Sequence, residues 1–385
     1  MREMKGDGDV VIEAARTLER MRDYLHAGVP HRQRAEIFAR LSRLPLEELA
    51  SMNPVQAEHA VESAARSLTD PQPGVQEGAL VCATRASVLA LTQTRLVASR
   101  LARTGIATTI LQVSTTGDRI QDRPLAAIGL QSLFVKELEI ALRDGRAHYA
   151  VHSCKDLPSA IPSDMQIAAI SAREDPRDAF CSEAFPSFQA LPRGARVGTS
   201  SLRRRAQLAA LRSDLEYADL RGNVDTRLRK LREGQYDAIV LACAGLARLN
   251  AQARYTVPFS VEDMVPAAGQ GALAIEVLAG SSFAEALRSA LNDAQAERAV
   301  LCERAALAEL RGGCQAPIGI HAQCEGDTLA VTGAVAAPDG SMLVRERLEA
   351  PAAGLAQARA LGVQLARALL TLGAERLLAA PKDGA

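Results

Sequence analysis

The sequence contains no tryptophan, and aromatic residues make up only 3% of its 385 residues. Aliphatic side chains must therefore fill the interior, and the hydrophobic fraction of 48% is large enough for ordinary cores. Lysine is scarce as well, since only five of the 45 basic residues are lysines. The positive charge is carried almost entirely by arginine, the side chain that binds carboxylates through two parallel hydrogen bonds.

An excess of either charge is also missing, because 45 basic and 45 acidic residues cancel. This balance argues against binding to nucleic acid or to a membrane surface. The seven cysteines include no Cys-x-x-Cys pair and share no metal-ligand spacing with the six histidines, so neither a disulfide framework nor a metal site is expected. The chain has no apolar run long enough to cross a membrane and no signal-like N-terminus, which predicts a cytoplasmic protein.

Residues 1–79 differ from the rest of the chain. Amphipathic spacing predicts helices over 9–27, 31–51 and 54–68, and a linker rich in proline follows at 70–74. No pattern in this segment indicates chemistry. We interpret it as a helical extension or docking element of unknown role.

From residue 80 onward, short apolar strands alternate with helical patterns. This alternation predicts βαβ units and mixed, mostly parallel sheets. Over about 302–380 the pattern changes to a helix, three strands and a final helix, which is typical of a small α+β domain.

Polar side chains follow the first of these strands and the strand at 149–152. Arg85 and Ser87 follow the first, and Ser87 is suited to cap the next helix. Lys155 and Asp156 follow the second. Ligands bind beyond the carboxyl ends of strands in such sheets. These residues therefore either face a ligand or form surface turns, where a solvated ion pair contributes under about 1 kcal/mol.

The segment after the strand at 196–198 breaks a local rule. Ser201 precedes a helix that opens with Arg203 and Arg204. Positive side chains in a first turn oppose the helix dipole and are unfavourable there unless an anion offsets them. The pattern indicates an anion site, and the alternative is a basic exposed turn.

Three further arginines, Arg221, Arg227 and Arg248, follow later strands. Together with the arginines above they would surround a cleft suited to a small molecule with several carboxylates. Each charge-assisted hydrogen bond in such a cleft contributes roughly 1.5–3 kcal/mol.

One cysteine has unusual neighbours. Cys314 follows Gly312 and Gly313, and Pro317 comes three residues later. The glycines let the backbone expose the sulfur, and the proline prevents extension of the loop into a helix. Cys314 is therefore either an inert loop cysteine or a point of covalent attachment.

Taken in order, these motifs resemble those of the hydroxymethylbilane synthase (porphobilinogen deaminase) family, over about three quarters of the chain. The stretches that carry the resemblance are ATRAS at 83–87, STTGD at 114–118, LFVKELE at 133–139, VHSCKDLP at 151–158, REDPRDAF at 173–180, VGTSSLRRRAQL at 197–208, DLRGNVDTRL at 219–228, ACAGLARL at 242–249, PAAGQGALAIE at 266–276 and GGCQAPIG at 312–319.

The resemblance implies two α/β lobes like those of periplasmic binding proteins, with mixed sheets, and a small α+β domain at the C-terminal end. The expected boundaries are 80–175 with 272–296 for the first lobe, 176–271 for the second lobe and 297–380 for the α+β domain. It also implies the reaction, in which four porphobilinogen molecules are joined head to tail into a linear tetrapyrrole with release of ammonia.

The site is implied by the same resemblance. A dipyrromethane cofactor is expected on Cys314 through a thioether, and Asp156 is the expected catalytic carboxylate, because an ionised carboxylate stabilises the cation left by loss of ammonia. The other expected cofactor-binding residues are Lys155, Arg85, Ser87, Ser201, Arg203, Arg204, Arg221, Arg227 and Arg248. A monomer that binds porphobilinogen, and neither nucleic acid nor membrane, is expected.

The chain departs from the family at Leu130-Gln131-Ser132, where Gly-Lys-Gly is usual. A restricted backbone and the loss of a cation predict weaker substrate binding or slower elongation. The departure also motivates an alternative, a catalytically silent paralogue that binds polycarboxylates or regulates. Asp156, Cys314 and the arginines argue for the active enzyme.

Overall fold

The computed structural model describes residues 7–28, 34, 37–38, 41–42, 44–58, 60–61, 78–113, 135–311 and 316–379. The chain divides into two compact units, residues 1–77 with 140–147 and residues 78–139 with 148–385.

The helices are α1 (Asp7–Gly28), α2 (Leu46–Ser51), α3 (Val88–Arg103), α4 (Lys136–Arg143), α5 (Leu202–Leu211), α6 (Val224–Arg232), α7 (Cys243–Leu249), α8 (Ala284–Leu291), α9 (Ala294–Glu309), α10 (Leu355–Thr371) and α11 (Ala374–Ala379). The strands are β1 (Leu80–Arg85), β2 (Thr108–Val113), β3 (Tyr149–Ser153), β4 (Met165–Ile170), β5 (Asp178–Ser182), β6 (Arg196–Gly198), β7 (Glu216–Ala218), β8 (Ala238–Ala242), β9 (Tyr255–Pro258), β10 (Leu273–Leu278), β11 (Ile318–Glu325), β12 (Thr328–Ala336) and β13 (Leu343–Pro351).

The described part of the N-terminal segment is mainly helical and has an apolar core of its own. The predicted helix 9–27 is confirmed as α1, but the prediction of one helix over 31–51 is wrong. The chain turns at Ser42, and Pro45 precedes α2 with φ −56° and ψ 139°. Proline has no N–H and disfavours helical backbone before it, so two helical segments form instead. The buried side chains of this core are Ala14, Met21, Leu25, Ile37, Leu41, Leu49, Ala57 and Val61.

Two five-stranded sheets with equivalent topologies form the α/β part. The first has the strand order β2-β1-β3-β10-β4, and β10 is its antiparallel strand. The second has the order β7-β6-β8-β5-β9, and β5 is its antiparallel strand. Strand β5 follows the first four strands of the first sheet, and β10 returns to it. The chain therefore crosses between the lobes twice, in the segments around 171–177 and 259–272.

A third sheet, with strand order β11-β12-β13, is antiparallel throughout and packs against α9 and α10. The predicted fold class is thus confirmed: two α/β lobes, a small α+β domain and a helical N-terminal segment. The expected domain boundaries stay a prediction.

The glycine-rich stretch at 266–276 forms the returning crossing and the start of β10. The backbone N–H of Glu174 donates to the oxygen of Gly271 at 3.2 Å, so the two crossings lie side by side. Gly271 has φ +93°, and a Cβ there would collide with the backbone oxygen of Glu174. Only glycine fits this conformation and this approach without strain.

The α+β domain contacts the same crossing through Gly319. The N–H of its neighbour Ile320 donates to the oxygen of Pro266 at 2.8 Å. A Cβ at Gly319 would overlap the backbone oxygen of Val265.

We expect Gly319→Ala to lower the free energy of unfolding by about 1–3 kcal/mol, because the methyl group overpacks this contact. Urea unfolding measures the change. Gly245→Ala is the control, since a Cβ there would meet the side chains of Leu89 and Val224 at an ordinary 3.9 Å. Equal stability of the two variants would contradict a tight contact at Gly319.

Candidate functional site

The buried carboxylate of Asp178, the first residue of β5, binds the two arginines that open α5. Asp178 is 0% exposed, and Arg203 and Arg204 are 5% and 6% exposed. Oδ2 accepts from Nη1 of Arg203 at 2.7 Å, and Oδ1 accepts from Nη2 and Nε of Arg204 at 2.7 and 3.0 Å. The anion that offsets these two arginines at the start of their helix is therefore supplied by the chain itself.

Charge rather than burial determines the ionisation of Asp178. Burial alone would raise its pKa, but the charges of Arg203 and Arg204 outweigh burial and hold the pKa of Asp178 well below its usual range. Burial lowers the pKa of Arg203, and the charge of Asp178 counteracts that effect.

Gln270 connects this cluster to the turn after β3. Its Nε2 donates to Oδ1 of Asp178 at 3.0 Å, and its Oε1 accepts from Nζ of Lys155 at 3.1 Å. Burial lowers the pKa of Lys155 to about 8, while the charge of Asp156 acts in the opposite direction. A continuous chain of hydrogen bonds thus runs from the second lobe, through the crossing, to Lys155 in the first lobe.

The side chain of Asp156 is exposed at the end of a short 3₁₀ turn, Cys154–Asp156. It makes no hydrogen bond or ion pair with the residues that the structure describes. The turn is anchored by Leu157, because this side chain is buried and its N–H donates to the oxygen of Cys154 at 3.2 Å. A fixed turn therefore presents a carboxylate that is available to a ligand.

Arg227 adds a further cation near Asp156. Burial and the charge of Arg204 lower the pKa of Arg227 to about 10, and Asp156 counteracts them. The structure therefore brings Lys155, Asp156, Arg204 and Arg227 into one electrostatic neighbourhood, and their roles toward a ligand stay predictions.

The two expected binding serines cap helices. Oγ of Ser87 accepts from the N–H of Ala90 at 3.3 Å, and Oγ of Ser201 accepts from the N–H of Arg204 at 3.5 Å. The predicted capping role of Ser87 is confirmed. Their roles in cofactor binding stay predictions, as do those of Arg85 at the end of β1 and Arg221 before α6.

Arg248 stands apart from the cluster around Asp156. Its Nη2 donates to the oxygen of Gly271 at 2.6 Å, and it lines a small cleft together with Arg100 and Glu174. Burial lowers the pKa of Arg248; the charge of Glu174 counteracts this effect, and the charge of Arg100 adds to it. The described contacts of Arg248 thus support the crossing.

Cys314 and residues 130–132 lie outside the described residues, so the predictions about them remain open. Among the cysteines that are described, burial raises the pKa of Cys154 to about 11 and those of Cys181 and Cys243 to about 12. It raises the pKa values of Cys82, Cys302 and Cys324 as well. Since the thiolate is the nucleophile, none of these six thiols is activated.

Sequence reasoning missed the side chains that hold the site together. Asp178, Gln270 and the buried pair Arg173–Glu303 were not among the candidates. Nη1 of Arg173 donates to Oε1 of Glu303 at 2.6 Å. Asp178 lies in the motif at 173–180 and Gln270 in the motif at 266–276, but their contacts join residues that are 25 to 115 positions apart in the sequence. The only available signal was the unmatched charge at the start of α5.

Among the described residues, no group of His, Cys, Asp and Glu side chains could hold a metal ion, and no helix is both long and apolar enough to span a membrane. The fold and the site define a two-lobed α/β protein with a small α+β domain and a cluster of arginine and lysine side chains around Asp178 and Asp156.

The chain belongs to the porphobilinogen deaminase family. Residues 80–286 match the family model "Porphobilinogen deaminase, dipyromethane cofactor binding domain", and residues 297–371 match "Porphobilinogen deaminase, C-terminal domain". The porphobilinogen deaminase of Roseiflexus castenholzii is 49% identical over 304 residues, which cover 78% of this chain and 98% of the relative. That of Methylobacillus flagellatus is 49% identical over 303 residues, covering 78% and 97%.

Solved structures show a weaker likeness. A putative methionine-binding lipoprotein from Bacillus subtilis has a TM-score of 0.34 at 13% identity and covers 55% of this chain and 88% of that one. The methionine-binding protein MetQ has a TM-score of 0.36 at 10% identity, with coverages of 56% and 90%.

We expect Asp178→Asn to lower the free energy of unfolding by about 3–5 kcal/mol, because it leaves two buried guanidinium groups without their anion. Urea unfolding at pH 7 measures the loss. Glu233→Gln is the control, since it breaks an exposed pair with Arg229 that contributes at most about 1 kcal/mol.

The pH dependence of the free energy of unfolding provides a second test of the role of Asp178. The pKa of Asp178 is depressed in the folded state, so its stabilisation is present above the ordinary carboxyl pKa of about 4 and is lost as the pH falls. The parent should therefore lose more stability on acidification than Asp178→Asn. A parallel pH dependence would contradict the assignment.

Proposed function

We propose that this protein condenses four molecules of porphobilinogen head to tail, releasing ammonia and a linear tetrapyrrole, on a dipyrromethane bound through a thioether to Cys314. The observation that carries the proposal is the exposed carboxylate of Asp156 at the tip of β3, among the cations of Lys155, Arg204 and Arg227. A monomer that acts in the cytoplasm without nucleic acid is part of the same proposal.

The residues of the site fit a dipyrromethane with carboxylate arms. The only buried acid in the cluster, Asp178, already accepts from both Arg203 and Arg204. Four cations, Lys155, Arg203, Arg204 and Arg227, share this neighbourhood with two carboxylates, Asp156 and Asp178, so positive charge is in excess. Burial is the main cause of the lowered pKa values of Lys155 and Arg227, and the charge of Arg204 adds to it. The carboxylates of a bound polyacid would offset that excess and restore those pKa values. Arg203, Arg204, Arg227 and Lys155 would hold its acetate and propionate arms.

The low reactivity of the other six cysteines supports attachment of the cofactor at Cys314. A thioether forms from a thiolate, and the six described cysteines have raised pKa values because they are buried. The Gly-Gly-Cys segment follows α9, and two preceding glycines allow the backbone to expose the sulfur.

The role of Asp156 follows from charge. When ammonia leaves porphobilinogen, a cationic pyrrole remains, and a fixed carboxylate lowers the energy of that charge and accepts the pyrrole N–H. The dipyrromethane, when bound, supplies the pyrrole carbon to which the first substrate is added. Lys155 is held by Gln270, and its ammonium group attracts substrate carboxylates.

We expect the intact mass of the purified parent to exceed that of the polypeptide by one dipyrromethane, and Cys314→Ala to have the bare polypeptide mass and no activity. Cys324→Ala, which alters a half-buried thiol, is the control and should keep the adduct. Peptide mapping locates the adduct. An adduct on any other cysteine would contradict attachment at Cys314. A parent that carries the dipyrromethane but has no activity would favour the silent paralogue.

We expect Asp156→Asn to lower kcat by about 100-fold or more, because the amide keeps the shape but cannot stabilise the cation. The assay follows tetrapyrrole formation by protein whose cofactor content is verified by mass. Asp327→Asn removes an exposed carboxylate of the α+β domain and should leave kcat unchanged. A loaded Asp156→Asn that turns over within about threefold of the parent would exclude Asp156 as the catalytic carboxylate.

A further inference from the structure

Helix α9 is shared between the α+β domain and the first lobe. Ala299, Cys302 and Ala306 of α9 belong to the apolar core of the α+β domain, as does Leu310 directly after the helix. The helix ends at Glu309, five residues before Cys314. Its position therefore determines where the loop that bears the cofactor begins.

Another face of α9 packs against the turn that carries Asp156. Ala296 and Val300 share an apolar cluster with Cys154 and Leu157, which flank Lys155 and Asp156. Residues four positions apart lie on the same side of a helix, so Arg304 continues this face toward the C-terminal end of α9.

Arg304 makes the polar contact of this face. Its Nη2 donates to the backbone oxygen of Pro158 at 2.7 Å and to that of Ser159 at 3.2 Å. These carbonyls lie two and three residues beyond Asp156. A guanidinium group presents its N–H donors in a fixed plane, so two carbonyls on one Nη2 restrict both the separation and the angle between helix and turn.

We propose that Arg304 is a positioning residue, which fixes the turn that carries Asp156 against the helix that leads to Cys314. This inference rests on the proposed function, because it assumes that the reacting groups are held by these two segments. The carboxylate and the cofactor belong to different parts of the chain. Their relative position must therefore be kept by contacts between those parts.

The neighbouring residue of α9 fixes a different segment. Glu303 accepts from the N–H of Gly269 at 2.6 Å and from Arg173, and so holds the crossing. Without Arg304, α9 would still be anchored to the crossing and to the α+β core. The loss of Arg304 should therefore release the 158–159 segment and leave the rest of the fold intact.

The test compares Arg304→Gln with Arg298→Gln in the full-length holoprotein. Arg298 lies on the same helix and also donates to backbone oxygens, but these belong to Gly326, Ala352 and Ala353 of the α+β domain itself. Glutamine is too short to reach the carbonyls in either case. Intact mass, kcat and KM for porphobilinogen, and the thermal midpoint are measured for both.

We expect Arg304→Gln to keep its dipyrromethane and to lose about ten- to a hundredfold in kcat with KM changed less than about twofold, because a misplaced reacting group slows the reaction without weakening binding. Arg298→Gln should keep kcat. Arg304→Lys, whose ammonium group can donate to one carbonyl, should recover part of the loss. A kcat of Arg304→Gln within about twofold of the parent, or an equal loss in Arg298→Gln, would overturn the proposal.

Hydrogen exchange separates this proposal from the proposed function. The amides of 154–160 should exchange faster in Arg304→Gln than in the parent or in Arg298→Gln, whether or not the protein is active. Unchanged exchange of these amides would show that Arg304 does not hold the turn. A parent without cofactor or product would refute the proposed function, and the exchange result would still decide whether Arg304 holds the turn.

Discussion

The buried carboxylate of Asp178 is the interaction on which the site depends. Three groups converge on it: the guanidiniums of Arg203 and Arg204 and the amide of Gln270. The two guanidiniums come from the first turn of α5 and the amide comes from the returning crossing. One side chain therefore holds the start of α5, the first strand of the second lobe and the returning crossing together. Removing a partner from such a pair leaves a charge in the interior, which costs about 3–5 kcal/mol.

The same arrangement determines the charge of the site. One carboxylate is shared by two buried guanidiniums, and Lys155 and Arg227 lie in the same electrostatic neighbourhood, where burial and like charges lower their pKa values. The fold thus keeps a surplus of positive charge next to Asp156. A ligand with several carboxylates relieves that surplus, whereas a neutral pyrrole would gain nothing from it. In the proposed function, a preference for acidic pyrroles would follow from how the second lobe is held together.

Sequence reasoning predicts the ends of strands better than the contacts between elements. Alternating apolar strands and helices predict the α/β class, and Asp156 and Lys155 can be located because they directly follow an apolar strand. Arg203 and Arg204 violate the dipole preference, which indicates an anion; the sequence suggested a ligand, whereas the anion in the structure is the carboxylate of Asp178. The anion itself could not be predicted, because Asp178 reaches α5 only through the antiparallel insertion of β5 into the second sheet. Pro45 was visible in the sequence and should have divided the helix expected over 31–51.

Two buried acids hold adjacent residues of the returning crossing. Asp178 accepts from the side chain of Gln270, and Glu303 accepts from the N–H of Gly269. The first contact joins the crossing to the second lobe, and the second joins it to α9. Each acid is also paired with arginine, so a break in either contact would leave the charges paired and would cost one hydrogen bond to a buried charged group, about 1.5–3 kcal/mol. Both contacts lie within four residues of the start of β10, so the crossing is fixed just before it re-enters the first sheet.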